Sequence, residues 1–303
     1  MQRKSEVRPI WDGGPIHALL AGSPLWDFQQ LGILKIWQSY SMGQGVNAYV
    51  IDSGVTHHPL LEHRPVNALS FMTGNPSPED GNGHGTWVCG KIGARGVGLA
   101  PECNLTSLRV LGDDGSGEIS FTAKALEYVL GQPDPHIINM SLGSFYRSGK
   151  EQQLMTALAN RGVIVVAAAG NENTNQLSYP AAYSNVLAIA AINEDKSRAY
   201  FSNYGEHIAV SAPGVSCYST YLGNQFRKLQ GTSMASPTVA GLMILGISYL
   251  LMKNPKIDRK VLRAKVINAL LQTAGDLGTA GKDQYYGFGE INGIKFMEKL
   301  TAA

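Results

Sequence analysis

Residues 229–252 contain no charged side chain, and this run constrains the fold more than any other part of the chain. It opens on Gly231-Thr232-Ser233-Met234-Ala235-Ser236-Pro237, which places a serine at the start of a predicted helix. A helix start offers unpaired backbone N–H groups and the positive end of the helix dipole, which are the groups that a developing oxyanion needs. Ser233 is therefore either a nucleophile at a helix start or, like Thr232, an ordinary cap of a buried helix.

Two further segments supply a carboxylate and an imidazole. Asp52 follows the apolar segment 46–51, a predicted buried strand, and the carboxyl end of a parallel strand is where α/β folds place their sites. His84 lies in the glycine-rich turn 80–86, where the glycines let another chain approach the imidazole closely. Alone, Asp52 is equally typical of a turn and His84 of a surface loop. Together with Ser233 they are the set that a serine nucleophile requires.

The three segments resemble the signature segments of the subtilisin-like serine proteases, the subtilase family, in the order Asp, His, Ser. The resemblance extends from about residue 32 to about residue 300. No Gly-x-Ser-x-Gly segment surrounds Ser233, which argues against an α/β-hydrolase. The resemblance implies that Ser233 attacks the scissile carbonyl, that His84 takes its proton and that Asp52 orients the imidazole.

Asn171 completes the catalytic set that the resemblance implies. It follows the apolar segment 163–169 in the pair Gly170-Asn171, which by itself indicates only a turn. In the family, the side-chain amide at this position donates to the oxyanion beside the backbone N–H of the nucleophile, here Ser233. The two donors together form the expected oxyanion hole.

The resemblance also implies the positions that bind substrate. Segments 115–117 and 141–143 match those that pair their backbones with an extended peptide, and segments 141–143 and 168–170 match the walls of the pocket for the residue before the cut. The positions are Gly115, Ser116, Gly117 and Ile119; Ser141, Leu142 and Gly143; and Ala168, Ala169, Gly170 and Ser178. Without the resemblance, the glycines would indicate ordinary loops. Since no matched wall position is acidic, we expect apolar or broad specificity before the cut. Ile119 lies where a further subsite is expected, and we expect apolar specificity there too.

The rest of the chain predicts one α/β domain, residues 23–303, with a mostly parallel sheet covered by helices on both faces. The resemblance implies the three-layer subtilisin-like fold. The predicted strands are 47–52, 105–110, 137–142, 163–169, 186–192 and 208–212. A net charge of +2 indicates neither a nucleic-acid partner nor a membrane-surface partner.

The run 229–252 is also long enough for a membrane span. Polar residues, Pro237, Gly241 and Gly246 interrupt it, and it begins with the nucleophile segment. The resemblance implies a helix buried through the centre of the domain, which we favour over a membrane span.

The first 22 residues and the cysteines bear on where the protein works. The opening segment 1–6 lacks the apolar stretch of a signal peptide, and three cysteines, an odd number, indicate no disulfide framework. We therefore expect a cytoplasmic enzyme, closest in character to the intracellular subtilisins. In these, a short N-terminal extension lies across the active site until it is removed. Residues 1–22, with Arg8-Pro9-Ile10-Trp11, resemble that inhibitory extension.

Two places where many family members bind calcium lack their ligands here. The segment 91–98 is too short for the insertion that holds the tight ion, and Leu60 stands where an acidic residue helps to bind it. Before Ala212-Pro213-Gly214, the acidic residues of a second site are mostly missing. Because Ca²⁺ takes about six to eight oxygen ligands, we expect no metal at either place, and no cofactor.

Three function classes share these residues. A serine endopeptidase and a transpeptidase or macrocyclase need the same triad, since they differ in whether water or an amine takes the acyl group. A catalytically silent peptide-binding module usually has a damaged triad, whereas this one is complete. The sequence thus predicts an endopeptidase that acts on peptides or proteins, and it leaves the oligomeric state open.

Overall fold

In the computed structural model, which describes residues 25–302, the strand predicted before Asp52 lies within a seven-stranded sheet. The strands are β1 (Asn47–Asp52), β2 (Asn67–Ser70), β3 (Asn104–Arg109), β4 (Ile137–Met140), β5 (Ile164–Ala168), β6 (Val186–Ile192) and β7 (Ile208–Pro213). All of them run parallel, in the order β2-β3-β1-β4-β5-β6-β7. The order reverses between β1 and β4, and a parallel sheet opens a crevice at the carboxyl ends of its strands at such a point.

Helices cover both faces of this sheet, which confirms the three-layer prediction. The helices are α1 (Trp26–Leu31), α2 (Ile33–Ser39), α3 (His84–Gly93), α4 (Ile119–Gly131), α5 (Gly149–Asn160), α6 (Thr232–Lys253), α7 (Arg259–Thr273) and α8 (Gly293–Thr301). One apolar core contains α3 and α6, and a second core contains α4 and α5. The uniformly apolar strands between them are buried on both sides, as parallel strands require.

The uncharged run 229–252 forms the last residue of a β-hairpin and nearly all of a central helix. The hairpin pairs β8 (Cys217–Tyr221) with β9 (Gln225–Leu229) in antiparallel register across the 3₁₀ turn Leu222–Asn224. Helix α6 then packs against α3 and against strands β4 to β7. It is long and apolar enough to cross a membrane, but 89% of its most apolar window is buried inside the domain. Burial among other elements accounts for its lack of charge.

The predicted strands 47–52 and 186–192 have the expected bounds, and the others differ at their ends. The largest difference is at 137–142, where β4 stops at Met140 because its pairing with both neighbouring strands ends there. Short β2 and the exposed hairpin strand β9 lack a buried apolar run, and no strand was predicted there or at β8. Residues 1–22, the predicted extension, lie outside the described residues.

Candidate active site

The fold brings Asp52 and His84 together at the crevice. Asp52 ends β1 and is fully buried, and His84 is the first residue of α3. The Nδ1–H of His84 donates to Oδ1 of Asp52 at 2.8 Å, and the same oxygen accepts the backbone N–H of Ser53 at 2.7 Å. Since the carboxylate holds the proton of the imidazole on Nδ1, the Nε2 lone pair is left to act as a base.

The electrostatic surroundings of His84 favour its protonated form. Burial opposes the charged imidazolium, but the charge and hydrogen bond of Asp52, with the charge of Asp80, outweigh this and raise the pKa of His84. The imidazolium that forms during general-base catalysis is therefore stabilised where it arises.

Asp80, which the sequence interpretation did not single out, organises the turn that carries His84. Its Oδ1 accepts the Ser53 hydroxyl at 2.9 Å and the N–H of Gly83 at 2.9 Å, and its Oδ2 accepts the N–H of Thr86 at 2.8 Å. A Cβ on Gly85 would lie 2.2 Å from the carbonyl oxygen of Gly54, so only glycine allows this close approach. The sequence signal that could have identified Asp80 is its position shortly before a helix start, where an aspartate is typical of a residue that accepts hydrogen bonds from the first backbone N–H groups.

Ser233 is held at the start of α6 by a reciprocal pair of hydrogen bonds with Ser141. The Ser233 hydroxyl donates to the Ser141 carbonyl at 3.1 Å, and the Ser141 hydroxyl donates to the Ser233 carbonyl at 2.9 Å. The Ser233 carbonyl is open to this bond because its helical partner would be the N–H of residue 237, and Pro237 has none. Within residues 25–302, no hydrogen bond joins Ser233 to His84.

A buried polar network extends this arrangement into the core. The Ser236 hydroxyl donates to Asn139 Oδ1 at 2.6 Å, and Asn139 Nδ2 donates to the Ser141 hydroxyl at 2.9 Å. All three residues are at most 3% exposed. Strand β4 and helix α6 are thereby joined beside the nucleophile, and Ser141, predicted as a substrate-binding position, also fixes the backbone of Ser233.

Both donors of the predicted oxyanion hole lack an acceptor among residues 25–302. Asn171 Oδ1 accepts the Thr232 N–H at 2.8 Å and the Thr232 hydroxyl at 3.1 Å, which leaves its Nδ2 without an acceptor among the described residues. The Ser233 N–H, near the start of α6, likewise has no acceptor there. Gly231, with φ at 152°, brings the two together: a Cβ on it would lie 3.6 Å from Asn171 Nδ2.

A cleft of about 420 Å³ opens at His84; neither Ser233 nor Asn171 is part of its lining, but Ser141, the hydrogen-bond partner of Ser233, is. Its lining includes His84 and seven predicted substrate positions: Gly115, Ser116, Gly117, Ile119, Ser141, Leu142 and Gly143. The other predicted positions, Ala168, Ala169, Gly170 and Ser178, do not line this cavity. Ser178 nevertheless lies against Gly143, since a Cβ there would be 2.7 Å from its hydroxyl. Tyr179 and Pro180, which also line the cleft, are joined by a cis peptide bond.

The expectation of an apolar further subsite at Ile119 is incomplete. Ile119 does line the cleft, but the acidic residue Glu151 lines the same cavity. Glu151 follows Ser148 at the spacing of a helix-capping pair. The sequence pattern therefore indicates a helix start and gives no sign that Glu151 lines the cleft.

Among residues 25–302, no group of three or more His, Cys, Asp or Glu side chains is placed to hold a metal ion. At one of the two expected places, the helix after His84 carries Lys91, which is fully buried in an ion pair with Asp27. The absence of calcium at both places stays a prediction. Cys89, Cys103 and Cys217 are buried and unpaired.

Comparison with known proteins agrees with this geometry. Residues 43–289 match the model of the subtilase family, Peptidase_S8. The chain is 42% identical to Subtilisin BL and 41% identical to Subtilisin Savinase, both from Lederbergia lenta, over 82% of this chain and 90% of each relative. It is 41% identical to an alkaline protease of Shouchella clausii over 82% of this chain and 63% of that protein.

Proposed function

The chain belongs to the subtilase family and is a serine endopeptidase, and we propose that it cleaves extended polypeptides through an acyl-enzyme on Ser233, with apolar or broad specificity before the cut. The observation that carries the assignment of residues is the Asp52–His84 hydrogen bond at a cleft whose lining residue Ser141 exchanges two hydrogen bonds with Ser233.

The first step is attack of the Ser233 hydroxyl on the scissile carbonyl. General-base catalysis requires about 2.6–3.2 Å between the hydroxyl oxygen and Nε2 of His84. The hydroxyl therefore has to leave the Ser141 carbonyl and turn to His84 when substrate binds. His84 takes the proton, and the carboxylate of Asp52 stabilises the imidazolium.

The tetrahedral intermediate then places its oxyanion between the Ser233 N–H and Nδ2 of Asn171. Because Thr232 already holds the Asn171 amide by its oxygen, the donor is oriented before the substrate arrives, which is the condition for electrostatic stabilisation without reorganisation. His84 next protonates the leaving amine, and water releases the acyl group by the same route in reverse.

A fluorophosphonate probe tests the assignment of Ser233. We expect labelling of the wild-type protein, no labelling of Ser233→Ala, and cleavage of a peptide substrate by the wild type alone. An unlabelled wild-type protein would point to a silent binding module. Transpeptidation, which the relatives' names do not favour, would appear as ligated product in mass spectrometry when a free amine is added.

We further propose that the enzyme works inside the cell. The three cysteines support this, because all are buried and unpaired, as is usual for proteins of a reducing compartment. Fractionation of the cells that make the protein is expected to place activity and antigen in the cytosol. Recovery of both from the medium of intact cells would contradict the proposal.

A further inference from the structure

The cleft contains one titratable group that the reaction above does not use. Glu151 lies in the first turn of α5 and lines the same cavity as His84, yet it is only 4% exposed. Burial raises the pKa of its carboxyl to about 7, although a hydrogen bond from Tyr183 acts in the opposite direction. A buried carboxylate whose one hydrogen bond is long, at 3.4 Å, is costly to ionise, so its place in a substrate cleft points to a stronger partner that arrives with the substrate.

Helix capping does not account for this carboxyl. In a capping pair, the serine hydroxyl accepts the N–H of the glutamate, and the glutamate carboxylate accepts the N–H of the serine. The first bond is present, from the Glu151 N–H to the Ser148 hydroxyl at 3.3 Å. The second is not, because the Ser148 N–H donates to the Tyr183 hydroxyl oxygen at 2.9 Å. The helix start is thus capped without the Glu151 side chain.

Tyr183 is only a weak partner for the carboxyl. Its single hydroxyl proton has a good acceptor in the Ser148 carbonyl at 2.9 Å, whereas Oε2 of Glu151 lies 3.4 Å away. No Lys, Arg or His forms an ion pair with Glu151 among the described residues. The adjacent Lys150 is paired at the surface with Glu127, at 2.6 Å.

The charges of the cleft favour a cation as the occupant. Of the described residues that line the cavity, two are glutamates, Glu118 and Glu151, and none is lysine or arginine. A cleft lined by one sign of charge attracts the opposite sign. Ile119 and Leu142 line the same space and offer apolar surface to the stem of a long side chain whose charged end reaches the carboxylate.

We propose that Glu151 selects a lysine or arginine side chain of the substrate, at a position other than the one directly before the cut. This rests on the proposed endopeptidase function, since it assigns specificity within the same cleft. The cavity that contains Glu151 includes Ile119, the position of the predicted further subsite. Of the predicted wall of the pocket nearest the cut, it shares Ser141, Leu142 and Gly143 but not the opposite side, Ala168, Ala169 and Gly170. Side chains of an extended peptide alternate in direction, so a separate recess receives a separate residue.

Quenched fluorescent peptides test this assignment. All carry leucine directly before the cut, and each of the three preceding positions is set in turn to arginine, lysine, citrulline or norleucine. Citrulline keeps the shape of arginine without its charge. At about pH 9 the carboxyl of the empty cleft is ionised. At one position we expect kcat/KM for arginine and lysine to exceed that for citrulline and norleucine by at least about tenfold.

Glu151→Gln is expected to lower this ratio to near one, and Glu151→Leu to turn the preference towards norleucine. The second variant retains the test should the first fail to fold. Glu127→Gln, which removes a nearby surface carboxylate outside the cleft, is the matched control and should keep the wild-type ratio.

Two results would overturn the proposal: a wild-type enzyme with no preference for a cation at any of the three positions, or a Glu151→Gln variant that keeps the preference. Cleavage of the norleucine peptides without cation preference overturns this assignment and leaves the endopeptidase in place. Failure to cleave any peptide, together with absence of fluorophosphonate labelling, overturns both.

Discussion

At the scale of single residues, the site depends on atoms held by neighbours before any substrate binds. Asn171 is exposed, yet its amide oxygen accepts two hydrogen bonds from the buried Thr232. Ser233 has its carbonyl fixed by Ser141. Exposed Asn171 and half-buried Ser233 are thus anchored to buried polar residues, which keeps the geometry of the site fixed near the surface.

Asn171→Ala removes one oxyanion donor and leaves the triad in place. We expect kcat to fall about 10²–10³-fold with little change in KM, as for loss of the same donor in a subtilisin, because the bond forms mainly in the transition state. Steady-state kinetics on one peptide measures this. Thr232→Val, which deletes only the hydroxyl that orients the amide, should give a smaller loss. A KM effect without a kcat effect would contradict the assigned role.

The pKa of His84 sets the acid limb of the pH profile. Because the pKa is raised and the neutral imidazole is the base, kcat/KM should fall as the pH drops through a value above about 6.5. Asp52→Asn removes the main interactions that raise the pKa, so that burial dominates and the limb moves to lower pH. The maximum rate should fall about 10⁴-fold. An acid limb that stays in place in the Asp52→Asn variant would contradict this account of His84.

At the scale of elements, helix α3 connects His84 to elements from both ends of the chain. Its first residue is catalytic, and its buried Lys91 forms an ion pair with Asp27 of α1 and lies 5.3 Å from the centre of the Phe28 ring. The Trp87 indole N–H donates to the carbonyl of Arg227 in β9 at 2.8 Å. The position of the catalytic histidine is thus tied to an N-terminal helix and to the hairpin.

Asp27→Asn leaves the Lys91 charge buried without a counter-ion. We expect the free energy of unfolding to fall by about 3–5 kcal/mol, and Asp27→Leu with Lys91→Met to recover most of it, because the apolar pair needs no desolvation of charge. Urea unfolding in a Ser233→Ala background avoids self-digestion. The exposed pair at Lys150 serves as control, since Glu127→Gln should cost less than about 1 kcal/mol. Equal losses for both pairs would contradict the burial argument.

At the scale of the whole molecule, we expect the domain to be stable without calcium at the two places where many family members bind it; at one of them Lys91 forms a buried ion pair with Asp27. We expect excess chelator to change the melting temperature of the Ser233→Ala protein by less than about 1 °C. A bound ion at a thousandfold excess over its dissociation constant contributes about 4 kcal/mol, which in a domain of this size corresponds to roughly 8–16 °C. A drop of that order, reversed by added calcium, would show that a metal site exists.

The sequence alone determined the class of fold and singled out the four residues to which we assign the chemistry. Strand β1, helix α6 and the segments around Asp52, His84 and Ser233 are local patterns, and local patterns are readable because periodicity and turn chemistry act between near neighbours. The ends of the strands are less readable from the sequence. β4 ends two residues early because pairing with its neighbours stops, and the pairing is not encoded within the strand itself.

Only the tertiary structure decided which distant residues meet. The hydrogen bond between Asn139 and Ser236 and the ion pair between Asp27 and Lys91 join residues far apart in the chain, so they follow from sheet order and helix packing. Glu151 has the sequence spacing of a helix-capping glutamate. In the structure the Ser148 N–H donates to the Tyr183 hydroxyl instead of to the Glu151 carboxylate, and Glu151 lines the cleft. Local sequence patterns identify the candidate reacting groups. The tertiary structure decides which of them keep a hydrogen-bonding atom free, because packing determines which donors and acceptors pair with each other.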